Sequence, residues 1–364
     1  MKRLKVGVVG VGHLGKEHAR ILSGMANVDL VGVADANPNQ AEMVAQRCST
    51  RAFANHQALL PLVDAAVVVV PTLHHFMVAR DFLGSGVPLL IEKPLANDVS
   101  EAEELVALAA ANKAVLQVGH IERFNPAFEE LQRRPLKPKY VTCERYSGFS
   151  GRSIDIGVVL DLMIHDLDLL LSLVRAPVRS VDALGVALLG GHEDMAQARL
   201  VFENGCVANL SASRIHPIPA RRMTVFGPEG CASVDFGKRH LTLMQPARHL
   251  REGRVNVRRM DSAALGLLKA ELFTRHLETQ ELDCNDGDQL TNELLDFVKA
   301  VQTKSQPRVD GAMGRDAVAL AGQILDSMRQ HQWEGEMNGP IGPWDLPRPR
   351  GQLFFLPHTG QEAA

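Results

Sequence analysis

The chain has no disulfide framework. Its five cysteines, Cys48, Cys143, Cys206, Cys231 and Cys284, are scattered and odd in number, which suits small buried residues and not a stapled extracellular scaffold. No histidine or cysteine cluster has zinc spacing, so no metal is expected. Long apolar runs are also missing: the densest, Ala65 to Val70, has the length of a buried strand and falls far short of a bilayer span. The start, Met1-Lys2-Arg3-Leu4-Lys5, runs straight into a strand pattern with no apolar secretory segment, so a cytoplasmic location and no membrane partner are expected. Excess positive charge is absent as well. The 39 Lys and Arg are outweighed by 42 Asp and Glu, net −3, which argues against nucleic acid as a partner.

Glycine is placed where it has a use. Gly10-Val11-Gly12-His13-Leu14-Gly15 follows the apolar stretch Leu4 to Val9 and leads into a helical pattern, Lys16 to Leu22. Strand, glycine turn and helix in that order form the context of a dinucleotide fingerprint. Gly10 permits the tight turn, Gly12 lets backbone approach a pyrophosphate, and Gly15 allows the helix to pack closely with its free N–H groups toward the phosphates. A second strand, Asp29 to Ala34, ends in Asp35, roughly 20 residues after Gly15, where a carboxylate grips ribose hydroxyls and repels a 2′-phosphate. Ala36-Asn37 supplies no compensating arginine, so NAD is favoured over NADP. The competing role for Asp35 is to cap the turn before Pro38.

Strands and helices alternate through His120, with strands over 65–70, 87–91 and 115–118 and a capping box at Ser100-Glu101-Ala102-Glu103. This predicts an α/β unit, a doubly wound parallel sheet of the Rossmann type, over 1–122. Alternating strands then appear over 139–146, 196–202, 207–213 and 222–226, with turns at 203–205 and 227–230. They predict an α+β unit over 123–331 with an open, mostly antiparallel sheet, one face under helices and the other free for a second subunit. Amphipathic helices are expected over 290–302 and 315–331. A Pro- and Gly-rich tail follows over 332–364, carrying Trp344, Phe354 and Phe355; it is either disordered or wrapped on a neighbour.

Two further groups carry chemistry. Glu92-Lys93-Pro94 closes a strand at the sheet edge where ligands bind. A lysine fixed there, beside a proline able to adopt cis, can polarise a carbonyl or exchange a proton with a hydroxyl. Alternatively it is a surface lysine before a turn. In Asp161-Leu162-Met163-Ile164-His165-Asp166-Leu167-Asp168, helical spacing puts Asp161 and His165 on one face, so the carboxylate can orient the imidazole.

With these residues the chain resembles the glucose-fructose oxidoreductase, inositol dehydrogenase and rhizopine-catabolism family (Gfo/Idh/MocA). The resemblance rests on the glycine turn, Pro71-Thr72 with His75, Glu92-Lys93-Pro94, the Gly119 to Pro126 segment and the Asp161 to Asp168 helix. It implies an NAD-dependent dehydrogenase. Gly10, Gly12, His13, Leu14, Gly15, Asp35, Pro71, Thr72, His75, Glu92 and Lys93 would hold the cofactor, and Lys93, Asp161 and His165 would serve the reaction. Met163 departs from the family's usual glycine, with bulk that would reshape the pocket.

The 119–126 and 152–162 segments look most like the members that act as UDP-N-acetylglucosamine 3-dehydrogenases. By that likeness Arg123 and Arg152 would bind diphosphate oxygens or form interdomain salt bridges. His120 and Asn125 would meet sugar hydroxyls, together with Asp161 and His165. Which of Lys93 and His165 is the base stays open. The free sheet face further predicts a homodimer or homotetramer, and the likeness implies an aminotransferase acting on the product. Rival readings are another sugar, inositol or sugar-nucleotide uronate dehydrogenase of this fold, and a non-catalytic NAD-holding regulator.

Overall fold

In the computed structural model, residues 3–151, 154–285, 287–334 and 338–347 are described. Valine-rich β1 (Leu4–Val9) lies at the centre of a sheet whose middle strands are buried on both faces. After it come α1 (Gly15–Gly24), β2 (Val28–Ala34), α2 (Pro38–Arg47), β3 (Arg51–Phe53), α3 (His56–Leu59), β4 (Ala65–Val68), α4 (His75–Gly84), β5 (Leu89–Glu92), α5 (Val99–Ala111) and β6 (Leu116–Gly119). The strand order is β3-β2-β1-β4-β5-β6, and every pair is parallel. This is the doubly wound sheet expected. Its order reverses between β1 and β4, so a crevice opens at their carboxyl ends.

One cap differs from expectation. Asp98, not Ser100, accepts from the Glu101 N–H at the start of α5, and Glu101 accepts in return from the Asn97 N–H. The box is shifted because an aspartate two residues earlier is a competent cap.

The second sheet is built from β7 (Tyr140–Tyr146), β8 (Val178–Val186), β9 (Met195–Phe202), β10 (Val207–Ser213), β11 (Ala220–Gly227), β12 (Gly230–Asp235), β13 (His240–Pro246) and β14 (Leu277–Asp283). Its order is β14-β13-β12-β11-β7-β10-β9-β8. Most pairs are antiparallel, as expected, but the central pair β7 and β10 is parallel, because the segment between them crosses over through a helix. That segment carries a π-helical turn, Val159–Met163, running into α7 (Ile164–Val174). Before β7 comes α6 (Pro126–Gln132); α8 (Arg248–Arg251) and α9 (Ser262–Glu271) form an exposed arm between β13 and β14.

The chain then returns to the first sheet. Leu290, Leu294, Phe297 and Val298 of α10 (Gln289–Thr303) join the core formed by Val6, Val8, Leu22 and Leu90. Next, α11 (Gly311–Arg329) packs against α5, α7 and β8. The described part of the tail folds onto its own chain: the Ala187 N–H donates to Pro343 O (2.9 Å) and Trp344 Nε1 to Gly191 O (3.3 Å). Phe354 and Phe355 lie outside the described residues. No described helix is long and apolar enough to cross a membrane.

Candidate active site

The glycine turn is shaped by what surrounds it. Gly10 has φ +83°, and a Cβ there would lie 2.5 Å from Val69 O; one on Gly15 would lie 1.9 Å from Gly10 O. A side chain at either position would force the turn open. Gly12 is the opposite case: a Cβ there would meet no protein atom within 4 Å, which leaves its backbone bare for a ligand. Asp35 Oδ2 accepts from the Val11 N–H (2.8 Å) and Oδ1 from the Asn37 N–H (2.9 Å), so this carboxylate braces the turn as well as facing the crevice. The helix cap is Asn37, which accepts from Asn39 and Gln40.

A cleft of about 730 Å³ opens here, lined by Gly10, Gly12, Leu14 and Asp35 at one end and Pro71, Thr72, His75, Glu92 and Lys93 at the other. His13 is exposed on the turn. The ring nitrogens of buried His75 stand 2.7 Å from Pro94 O and 2.9 Å from Val70 O, which sets the ring between the Lys93 loop and the end of β4. Burial lowers the His75 pKa. The Lys93–Pro94 bond is cis.

Lys93 reaches across to the second sheet's crossover. Its Nζ donates to Asp161 O (2.7 Å) and Asp161 Oδ1 (3.0 Å). The wider π turn changes the usual pattern of carbonyl use within the helix, and this carbonyl serves the lysine. The start of the turn is anchored by Glu193, whose carboxylate accepts from the Val159 N–H (3.1 Å).

Asp161 therefore does not orient His165 as its spacing suggested, and no hydrogen bond joins the two. Lys93 Nζ takes the Asp161 carboxylate instead. Desolvation, with Lys93, Arg145, His120 and Arg221 adding to it, pushes the His165 pKa well below the usual imidazole value. Its Nδ1 is buried without a partner.

The same fold recurs in known proteins. Residues 4–120 match the model of an oxidoreductase family with an NAD-binding Rossmann fold (GFO_IDH_MocA), and 133–233 match the GFO/IDH/MocA C-terminal domain. A UDP-N-acetylglucosamine 3-dehydrogenase of Acidithiobacillus ferrooxidans is 38% identical over 89% of this chain and 97% of its own. The chain belongs to the Gfo/Idh/MocA family. It is an NAD-dependent oxidoreductase, and the bare backbone at Gly12 beside Asp35 fits the cofactor.

The solved structure of the Acidithiobacillus enzyme, GnnA, superposes with TM-score 0.79 over 90% of this chain and 98% of that one. Inositol 2-dehydrogenase of Rhizobium meliloti is 26% identical over 90% of this chain and 97% of its own. A levoglucosan dehydrogenase complex, at 18% identity and TM-score 0.76 over 90% of this chain and 97% of that one, shares the fold.

Within this oxidoreductase the other expected sugar contacts fare differently. Arg123 donates to Asp168 Oδ1 (3.1 Å) in a buried ion pair, the salt-bridge alternative. Asn125 is fully buried and spent: it caps α6 through the Ala127 N–H and donates to Glu122 and Phe236 O. Asn125 is not free for a sugar, and Arg123 is held by Asp168 through Nη1 while its Nε is buried without a partner. His120 is buried with both ring nitrogens unpartnered and its pKa lowered by desolvation. Met163 turns wholly into the core, so its bulk does not enter the pocket. Arg152 lies outside the described residues.

Sequence reasoning missed Arg221. It is exposed on β11, bears on His165 electrostatically, and has no ion-pair partner among the described residues. Only the pairing of β11 with β7 brings it there.

Asp35→Ala is expected to weaken NAD binding by about tenfold or more, measured by calorimetry, with a smaller loss of thermal stability from the freed Val11 N–H. Unchanged affinity would remove Asp35 from the ribose site.

Proposed function

We propose that this oxidoreductase oxidises the 3-hydroxyl of a UDP-N-acetylhexosamine, UDP-N-acetylglucosamine foremost, to the 3-keto sugar nucleotide. The observation that carries the reading is the 38% identity to a UDP-N-acetylglucosamine 3-dehydrogenase along nearly the whole of both chains. NAD supplies the hydride acceptor. Lys93, tethered to Asp161, directs its ammonium at the reacting oxygen and stabilises the developing alkoxide. His165, neutral and beside Lys93, takes the hydroxyl proton. Arg221, exposed on β11, takes the diphosphate-binding role, because Arg123 pairs with Asp168.

Incubation with NAD and UDP-N-acetylglucosamine, pulled forward by an amine donor and a matching aminotransferase, is expected to form NADH, and free N-acetylglucosamine is not. Arg221→Ala should raise KM for the sugar nucleotide with little change in kcat. No NADH, with NAD binding verified, would favour the second reading, an inositol or free-sugar dehydrogenase, which the inositol 2-dehydrogenase likeness supports.

The His165 assignment also sets a pH dependence. A lowered pKa keeps the base form down to lower pH, so kcat/KM should fall only as pH drops below the ordinary imidazole value. An acid limb at or above that value would point to a different base.

The same reading includes a cytoplasmic location and a homo-oligomer formed through the open sheet face around Thr142, Glu144, Gln197 and Asn209. Sedimentation measures the oligomer.

A further inference from the structure

Beneath the Lys93 loop, ionisable side chains from three distant parts of the chain meet away from solvent. His18 on α1 and Glu293 on α10 are 0% exposed and Glu92 at the end of β5 is 6% exposed; one ring nitrogen or carboxylate oxygen of each lies within 4.8 Å of the others. His18 Nε2 stands 2.9 Å from Glu92 Oε1, and the Lys93 N–H donates to Glu92 Oε2 (3.3 Å). Both oxygens of Glu293 are without a partner. Gln117, beside Glu293 through a bond from its amide to Glu293 O (3.0 Å), shares the sheet face with Glu92. The site described above uses neither His18 nor Glu293.

Two carboxylates cannot both stay ionised in a dry pocket, and a proton is the least costly way to neutralise one. The Lys93 ammonium is turned away to Asp161, and no described lysine or arginine pairs with Glu293. Burial, then the charges of Glu92 and Asp296, pushes the Glu293 carboxyl well above its usual range.

A dinucleotide held by Asp35 and the glycine turn would have its nicotinamide half toward the other end of the same cleft, at Glu92 and Lys93. We propose that Glu293 is a specificity-determining residue for the redox state of the cofactor. It stays a neutral carboxylic acid that donates to Glu92, leaving the pair one negative charge that favours the cationic oxidised nicotinamide over the neutral reduced ring. Glu92 is then a carboxylate on which three donors converge: the Lys93 N–H, the His18 Nε2–H and the Glu293 O–H. The inference needs NAD as cofactor and is independent of the sugar.

The test is the pair of dissociation constants for NAD+ and NADH, measured by calorimetry without sugar on folded wild type, Glu92→Gln, Glu293→Gln and Glu293→Ala. Metal content is determined alongside. Glu92→Gln removes the charge and should reduce the preference for NAD+ on the order of tenfold. Glu293→Ala removes the O–H donor assigned to Glu92 and should move the ratio the same way. Glu293→Gln, whose amide still donates, should restore the wild-type ratio. If the alanine variant does not fold, the two glutamine variants decide the matter.

A shift in Glu293→Gln as large as in Glu92→Gln would make Glu293 a second anion and overturn the proposal. So would an unchanged ratio in Glu92→Gln, or one equivalent of divalent metal in the wild type, which would put a cation where the proton is assigned.

Discussion

Lys93→Met is expected to lower turnover by about a hundred- to ten-thousand-fold while NAD affinity stays within roughly threefold of wild type. Methionine keeps most of the apolar stem and removes only the ammonium, which in the native chain donates to Asp161 O and Oδ1. Asp161 is partly exposed, so water can solvate the carboxylate left behind and the fold should survive. Gly10, Gly12 and Asp35, which would meet the cofactor's pyrophosphate and ribose, line the other end of the cleft, which is why binding and turnover should separate. NADH formation and calorimetry on the same preparation read both. Normal turnover would take the lysine out of the mechanism; a parallel loss of NAD affinity would make it a binding residue.

Arg145→Met is expected to cost about 3–5 kcal/mol of stability. Arg145 on β7 is 3% exposed and makes a two-pronged contact with Asp166, Nε to Oδ2 at 3.0 Å and Nη2 to Oδ1 at 2.7 Å. A third bond runs from Nη1 to Glu122 Oε1 at 2.9 Å. Burial opposes its charge, but Asp166 and Glu122 outweigh that and push its pKa up. For Asp166 burial prevails, and its pKa rises despite the pairing.

Without the guanidinium two buried carboxylates face each other uncompensated, so the deficit should shrink as pH falls and they take up protons. Urea unfolding at several pH values measures this. A loss below about 1 kcal/mol would mean that the site admits water. Because Glu122 follows β6 and Asp166 lies one residue after His165, the same ion group sets the placement of the imidazole relative to the first sheet.

The first sheet was legible because its signals are local. Each strand is a short apolar run buried on both faces, and the glycine turn and Glu92-Lys93-Pro94 stand at strand ends whose position follows from the parallel order. The second sheet was only half legible. β8, β12, β13 and β14 were not anticipated; β14, for one, is exposed along most of its length, so it has no apolar alternation to read. The parallel pairing of β7 and β10 leaves no mark in either strand. Nor could sequence tell that Asn125 would be consumed by Glu122 and the start of α6, or that Arg123 would pair with Asp168.

The sequence by itself determined the dinucleotide fold, NAD as its cofactor, the family, and the presence of Lys93, Asp161 and His165, because fingerprint and motif are contiguous and their spacing acts through backbone geometry. Tertiary structure decided the partnerships. Lys93 took Asp161 from His165, β11 brought Arg221 toward the imidazole, and α10 returned some two hundred residues downstream of Glu92 to set Glu293 against it. Charges in a low-dielectric interior pair with whatever the packing places within a few ångströms, and that proximity is a property of the folded chain.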